Sequence, residues 1–196
     1  MKIHRLGSSI AALALLPLGG CVPMQHKWTE VQAPDYSQPT QGYAAALPHG
    51  WIEISSPDNS GTIVSRHGPD LDNIRITRVN NDKAFPVLKK SAAPDEQPAD
   101  LAQDLVAEFK NEAGDMGLQI ITNEPVQVGG KNGVHLLLEY GTSSGVHYRM
   151  EDYAVCTPDG FYQLRYQAPV LRYFDLSEPA FKATVASFHF IPKTAR

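Results

Sequence analysis

Residues 141–145 contain a pattern that many hydrolases use to expose a nucleophilic serine. They read Gly-Thr-Ser-Ser-Gly, which matches the G-x-S-x-G elbow with Ser143 at its centre. That elbow requires a strained turn from a strand into a helix. The residues that follow alternate between apolar and polar types from Val146 to Glu151, which predicts a strand. The pattern therefore indicates a hairpin loop, and we assign no catalytic residue.

Two histidines and two glutamates lie on one face of the predicted hairpin. If residues 140 and 146 pair across the loop, they form two cross-strand pairs, His135 with Glu151 and His147 with Glu139. Imidazole and carboxylate groups placed in this way could bind zinc or exchange protons with a substrate. Opposite charges across strands also stabilise an ordinary solvated sheet face, by about 0.2–1 kcal/mol per pair. We prefer the second interpretation, and we assign no metal or cofactor.

The two cysteines cannot build a disulfide scaffold or a four-thiolate zinc site. Cys156 ends a predicted strand beside Val155 and has no basic neighbour in sequence, which favours a buried, unreactive thiol. Cys21 follows a segment that opens with Lys2 and Arg5 and continues as an apolar run over residues 10–18. The run is shorter than the roughly 20 residues that span a bilayer. This layout is typical of a secretory signal.

The tetrapeptide Leu18-Gly19-Gly20-Cys21 resembles the lipobox of bacterial lipoproteins. The resemblance implies that residues 1–20 are a leader removed by signal peptidase and that Cys21 carries acyl chains on its sulfur and its amine. Two or more acyl chains anchor a protein stably to a bilayer. Val22 follows the cysteine, and by resemblance to the sorting rule of enteric bacteria this favours the outer membrane, facing the periplasm. We therefore expect a bacterial cell-envelope protein that contacts the membrane through Cys21.

Composition and charge set the domain organisation. The chain has 196 residues, of which 42% are hydrophobic and 19% charged, enough for one domain with a core. The formal net charge of -4 gives no indication of a nucleic-acid-binding surface. Residues 21–42 are rich in Pro, Gln, Ser and Thr and have no apolar period, so they predict a flexible tether after the lipid anchor. The folded domain is expected to span residues 43–196.

Hydrophobic periodicity predicts strands, a helix, more strands and a second helix. The predicted strands cover residues 51–55, 62–66, 74–79, 125–128, 133–140, 146–156 and 161–167. Leu101, Leu105 and Phe109 recur every four residues and predict a helix over residues 98–113. Ser177-Glu178-Pro179 predicts the start of the closing helix. This order indicates an α+β domain with a single, mostly antiparallel sheet and packed helices.

This order of elements and two short sequence motifs resemble the Mog/PsbP-like fold. The motifs are Leu47-Pro48-x-Gly50-Trp51 and Ala186-Ser187-Phe188. That fold is shared by the nuclear-transport factor Mog, the photosystem extrinsic protein PsbP and bacterial DcrB-like envelope lipoproteins. Its members are mainly binding or assembly proteins without a shared catalytic motif. The resemblance therefore implies a non-enzymatic module with an envelope protein as partner, over residues 43–191.

The connection between residues 79 and 98 is the candidate interaction loop. It contains three prolines and no sustained period, so we expect it to be exposed and mobile. Apolar and basic residues alternate within it, and four of them are candidate contacts for a partner or for anionic lipid: Phe85, Leu88, Lys89 and Lys90. The alternative is a solvated crossover that only leads into the helix.

Aromatic residues in the last part of the chain leave a carrier function open. They are Phe161, Tyr162, Tyr166, Tyr173 and Phe174. Such residues could line a cavity for a small molecule or a lipid, although aromatic residues in strands most often pack in a core. A hydrolase or a metal-dependent enzyme would instead require Ser143 or the His and Glu face to line a concave pocket.

Overall fold

The computed structural model describes residues 28–32, 35–55, 61–114 and 117–192. The predicted leader and Cys21 lie outside these residues. In chain order the elements are β1 (Trp28–Glu30), β2 (Asp35–Gln38), β3 (Tyr43–Ala46), β4 (Ile52–Ser55), β5 (Gly61–Ser65), β6 (Asn73–Val79), α1 (Pro98–Ala113), β7 (Gln119–Val128), β8 (Lys131–Gly141), β9 (His147–Thr157), β10 (Gly160–Pro169), α2 (Tyr173–Ser187) and β11 (His189–Phe190). A short 3-10 helix covers Asn81–Lys83. No helix in the described ranges is long and apolar enough to cross a membrane.

A large antiparallel sheet forms the centre of the domain. Its eight strands have the order β1-β4-β5-β6-β10-β9-β8-β7, and a second sheet has the order β11-β3-β2. Neighbours along most of the large sheet are joined by short turns, as hairpin formation predicts. The expected α+β class with a mostly antiparallel sheet and packed helices is confirmed, and the small sheet is an addition to it.

Both faces of the large sheet carry a hydrophobic core. On one face, α1 packs Leu101, Leu105 and Phe109 with apolar residues that include Leu136 and Met150. On the opposite face lie α2 and the small sheet. The core between them and the large sheet includes Tyr43, Tyr166, Phe174, Phe181 and Phe188. Alternation along each strand sends successive side chains to opposite cores.

Helix α1 has the bounds that its periodicity predicts. Pro98 occupies the first turn, where its missing N–H costs no hydrogen bond. Gly114 ends the helix with φ 81°, a conformation that glycine adopts without strain. The three residues spaced by four are buried along one face, so the apolar period was sufficient to place this helix.

The expected tether is wrong for residues 28–32 and 35–42. β1 pairs with β4, and β2 pairs with β3. Val31 is buried in the core beside the small sheet. These segments are short and have little apolar period, so only their pairing with β4 and β3 identifies them. The folded part of the chain therefore begins at or before Trp28.

Helix α2 begins four residues earlier than the predicted start at Ser177. Pro179 lies inside the helix and not at its first position. The first turns are stabilised by burial of Phe174 and Ser177, and the Ser177 hydroxyl donates to the buried Asp72 carboxylate at 3.0 Å. This tertiary contact outweighs the local preference of proline for a helix start.

The β8–β9 hairpin has a register two residues away from the expected one. Tyr140 lies opposite Tyr148, where the sequence analysis placed Val146. Val146 closes the loop opposite Thr142, because the N–H of Thr142 donates to the carbonyl of Val146 at 2.9 Å. Gly145 within the loop takes φ 81°. A shift by an even number of residues leaves every side chain on its original face. The four predicted His and Glu residues therefore still share one face.

Candidate functional site

His135 is the centre of a chain of polar contacts on the face of the sheet that α2 covers. Its Nε2 lies 2.7 Å from Oε1 of Glu151, and its Nδ1 lies 2.9 Å from Oε1 of Glu124. The imidazole stacks on the ring of Tyr153 with centroids 4.4 Å apart. Lys182 from α2 pairs with the same oxygen of Glu151 and donates to the Tyr153 hydroxyl at 3.0 Å. One buried carboxylate thus binds two cationic groups.

The protonation states in this cluster support each other. Burial disfavours the imidazolium, but hydrogen bonds to Glu151 and Glu124 outweigh it and raise the pKa of His135. Burial also disfavours the Glu151 carboxylate, while hydrogen bonds from His135 and Lys182 outweigh it and lower the pKa of Glu151. Each shift therefore favours the charged form of its group.

The His135 ring and the Glu151 carboxylate are shielded from solvent. Glu151 is 1% exposed and His135 is buried between Tyr153 and the neighbouring strands. Lys182 covers the carboxylate from α2. The interpretation as a solvated sheet face is therefore wrong for His135 and Glu151, because a helix packs over them. Within the described residues no group of three or more His, Cys, Asp or Glu side chains is placed to hold a metal ion.

The second predicted pair lies further along the hairpin, where His147 is exposed and Glu139 is half-buried. Glu139 accepts a hydrogen bond from Nε of Arg149 at 3.0 Å, and Nδ1 of His147 is 3.9 Å away. The corrected register makes Arg149 the direct partner of Glu139. This pair is therefore an ordinary surface ion pair, which contributes at most about 1 kcal/mol.

Ser143 lies in an exposed turn between two strands, as predicted. The turn is held by Thr142, whose hydroxyl contacts Ser144 at 2.9 Å and the carbonyl of Val146 at 3.1 Å. The chain continues into β9, so the strand-to-helix geometry of a nucleophile elbow is not formed.

Cys156 is buried at the end of β9, as its sequence context predicts. Burial, together with the nearby charges of Glu96 and Asp95, raises the pKa of its thiol to about 11. The sulfur contacts Oδ1 of Asn81 at 3.4 Å. A thiol with so high a pKa forms little thiolate at neutral pH and is a poor nucleophile.

The candidate interaction loop is packed against α1. Phe85 is 1% exposed, and its ring lies 5.5 Å from that of Phe161. The Glu108 carboxylate of α1 accepts hydrogen bonds from the backbone N–H groups of Val87 at 2.8 Å and Leu88 at 2.9 Å. The expected exposure is therefore wrong for Phe85. The loop packs against α1 because the Glu108 carboxylate accepts hydrogen bonds from backbone N–H groups that no strand pairs.

The basic residues of that loop differ in their surroundings. Lys90 pairs with Asp104 and Glu96, whereas Lys89 is exposed at a position with φ 54°. Leu88 is half-buried. The binding role assigned to Phe85, Leu88, Lys89 and Lys90 stays a prediction, and the exposed surface available for it includes Val87, Lys89 and Lys90.

Asp72 is a buried side chain that sequence reasoning missed. It is 0% exposed and accepts hydrogen bonds from Ser65, Ser177 and the backbone of Arg66 and His67 at 2.9–3.0 Å. Nδ1 of His67 lies 2.7 Å from its second oxygen. Burial raises the pKa of this carboxyl, but the hydrogen bonds outweigh it and hold the pKa below its usual value. Ser177 is 105 positions away, so no local pattern could indicate the contact.

The aromatic residues considered for a carrier cavity mostly belong to the core. Phe161, Tyr162, Tyr166 and Phe174 are buried, and Tyr173 is partly buried. The open clefts among the described residues include two of comparable size. One of about 720 Å³ lies beside the start of α1, and one of about 920 Å³ is lined in part by Tyr162 and Phe190. Neither is lined by His135, Glu151 or Ser143.

Sequence comparison relates residues 32–190 to known proteins. The profile of the PsbP family matches this whole range. Comparison with curated protein sequences gives no match. The matched range begins within the segment that the structure folds before β3, in agreement with the corrected boundary.

Structural comparison gives the same fold. The solution structure of cyanobacterial PsbP (CyanoP) from Synechocystis sp. PCC 6803 superposes with a TM-score of 0.52 at 19% identity, covering 89% of this chain and 99% of that one. The Ran-binding protein Mog1p of Saccharomyces cerevisiae superposes with a TM-score of 0.52 at 11% identity, covering 86% and 96%. The expected Mog/PsbP-like fold is confirmed.

Proposed function

Because the chain belongs to the PsbP family, we propose that it is a lipid-anchored cell-envelope protein whose domain is a non-enzymatic binding or assembly module. The observation that carries the proposal is the closed His135–Glu151 cluster. The Glu151 carboxylate pairs with His135 and Lys182 beneath α2, and none of these residues lines either cleft. The cluster is built to hold α2 on the sheet, which suits a rigid domain that presents a surface.

A protein with the same fold supports a role in recognition. Mog1p is named as a Ran-binding protein, so this fold serves protein binding in that case. Both main faces of the sheet in the present chain are used for its own cores. A partner would therefore meet loops, sheet edges and outer helix surfaces.

The anchor in this proposal is Cys21. With β1 beginning at Trp28, six residues separate the cysteine from the folded domain. Six residues span at most about 25 Å between flanking Cα atoms when fully extended. The domain would then stay close to the lipid surface.

Replacing Cys21 by Ser tests the anchor. The wild type is expected to partition into the detergent phase and to incorporate label from radioactive palmitate, and Cys21→Ser should do neither. Cys156→Ser is the matched control, because that buried thiol should not be acylated and its loss should leave the label in place. Recovery of the wild type wholly in the soluble periplasmic fraction would contradict the proposal.

A small-molecule or lipid carrier is the second candidate function. The cleft of about 920 Å³, with Tyr162 and Phe190 in its wall, favours it. Release of a stoichiometric small molecule when the purified protein is denatured would support this function over the first.

A further inference from the structure

The face of the large sheet that carries α1 is covered by described residues over only part of its width. α1 packs on Leu136 and Met150, which belong to β8 and β9. The strand registers connect Leu136, residue by residue across the sheet, to three side chains near the β1 edge: Trp28, Ile54 and Ile63. Residues directly opposite each other on neighbouring strands share a face. These three side chains therefore lie on the α1 face, beyond the strands that α1 covers.

The apolar side chains at this edge pack in neither core. Ile52 lies two positions before Ile54 and so shares its face. Trp28 is 60% exposed, and the three isoleucines are half-buried. Among the described residues, none of the four belongs to either core or packs against it. Contiguous apolar side chains that a domain leaves outside its cores mark an interaction site. We call this surface the open face and define it by Trp28, Ile52, Ile54, Ile63 and Arg75, which lies opposite Ile63.

Arg75 is a cation of the open face without an ion-pair partner. It lies directly opposite Arg165, whose guanidinium is bound to Asp152 at 3.0–3.1 Å. Arg75 itself has no carboxylate oxygen of a described residue within 4 Å, and Glu112 attracts it only from further away. Like charges directly opposite each other destabilise a sheet. An external anion beside Arg75 would therefore be stabilising.

The side chains of the open face match the boundary between lipid headgroups and acyl chains. The amphipathic ring of tryptophan is enriched at this depth of a bilayer. The stem of an arginine can lie along apolar surface while its guanidinium binds a phosphate in bidentate fashion. Glu30, opposite Ile52, is the exposed carboxylate on this face, and the ammonium group of phosphatidylethanolamine can pair with it. One lipid surface thus supplies a partner for each group.

The proposed anchor brings lipid to this face. Six residues separate Cys21 from Trp28 and reach at most about 25 Å. Arg75 lies three strand spacings from Trp28, across β4 and β5, which is about 15 Å. A folded partner of about 30 Å, the diameter of a small domain, would not fit between the open face and the lipid. The bilayer is therefore the occupant that the length of this connection favours.

We propose that the open face lies against the phospholipid bilayer that holds the acylated Cys21, with Trp28 and the isoleucines at the headgroup boundary and Arg75 on a lipid phosphate. This inference rests on the proposed anchor and adds a second attachment to it. The two attachments fix the orientation of the domain. α2 and the small sheet, on the opposite face, then point away from the lipid.

Spin labelling of the full-length, acylated protein tests the proposal. The protein is reconstituted in vesicles of phosphatidylethanolamine and phosphatidylglycerol, with a nitroxide on Ile63→Cys or on Thr40→Cys. Thr40 is the matched control, because it is exposed in the turn of the small sheet. Acylated Cys21 and the buried Cys156 should not react with the label. We expect collisions with lipid-soluble oxygen to dominate at position 63, and collisions with a water-soluble nickel chelate to dominate at position 40.

Charge variants test the phosphate contact with the label kept at position 63. Arg75→Glu should shift the collisions at position 63 toward the nickel chelate, because two anions then face each other. Arg75→Lys should keep the oxygen preference of the wild type. An unchanged oxygen preference in Arg75→Glu would reject the phosphate contact. Melting curves check that each labelled variant is folded, and Arg75→Cys, at an exposed position, is a second label site if Ile63→Cys is unstable.

The remaining outcomes separate the open face from the anchor. If Cys21 incorporates palmitate but position 63 is open to the nickel chelate, the anchor stands and the open face is rejected. If Cys21 incorporates no palmitate, both are rejected. Shielding of position 63 from both reagents in lipid-free Cys21→Ser protein would identify a protein cover and reject the membrane. In that case, dipolar broadening between labels would identify a second copy, and its absence would identify residues 22–27.

Discussion

At the scale of single residues, two buried carboxyl groups, those of Glu151 and Asp72, are each stabilised by several partners, although the second oxygen of Glu151 accepts no hydrogen bond from the described residues. Glu151 binds His135 and Lys182 through one oxygen, and Asp72 collects hydrogen bonds from two loops and a helix. A buried carboxylate without such partners would be costly. The sequence identified His135 and Glu151 because strand alternation places them on one face. It could not identify Asp72, whose partners depend on the folded positions of β5 and α2.

Replacing His135 by Gln should change the pH dependence of stability. The pKa of His135 is raised in the folded state, so its contribution is complete below the unfolded value of about 6.5 and is lost as pH rises through the folded pKa. The pKa of Glu151 is lowered, so its contribution is present above about pH 4.3 and is lost as pH falls through the folded pKa. The pair therefore stabilises the fold most between about pH 4.3 and 6.5.

Urea unfolding from pH 5 to pH 9 measures this effect. At pH 6, His135→Gln should lower the free energy of unfolding by about 2 kcal/mol, the value of a charged hydrogen bond. The difference from the wild type should shrink as pH rises. His147→Gln is the matched control and should follow the wild type, since His147 is exposed. Parallel curves for the wild type and His135→Gln would contradict the prediction.

At the scale of elements, local patterns placed those parts whose stability is local. The four-residue apolar period predicted the bounds of α1, and the alternation of apolar and polar residues predicted the central strands. The start of α2 predicted from Pro179 was wrong, because the buried contact between Ser177 and Asp72 determines where the helix begins. The interaction loop was expected to be open, but Glu108 and the pocket for Phe85 are supplied by α1. These contacts join residues that are far apart in sequence, so the periodicity of the sequence does not predict them.

Truncating Phe85 should show that its loop is part of the core. Phe85→Ala is expected to lower the free energy of unfolding by about 3–5 kcal/mol, as for other buried aromatic side chains. Val87→Ala, two residues away and exposed, should change it by less than about 0.5 kcal/mol. Urea unfolding compares the two variants. Equal, small effects would mean that the loop is a mobile connection, as the sequence alone suggested.

At the scale of the whole molecule, the folded domain extends further toward the N-terminus than the sequence indicated. β1 pairs with β4, β2 pairs with β3, and Val31 is buried in the core. If Cys21 is acylated as proposed, six residues separate the anchor from Trp28 in place of the expected tether of about 20 residues. The shorter connection would keep the domain close to the lipid. This arrangement requires that β1 and β2 belong to the folded domain.

Two shortened chains test that requirement. A chain beginning at residue 28 keeps every described strand and should unfold at the same urea concentration as the mature protein. A chain beginning at residue 43 loses β1, β2 and the buried Val31, and it leaves Thr62 without its hydrogen bond to Tyr36 at 2.6 Å. Burial of Val31 and the lost hydrogen bonds together account for at least about 3 kcal/mol. The chain from residue 43 should therefore unfold at a clearly lower urea concentration. Equal midpoints for the two chains would show that residues 28–42 act only as a tether.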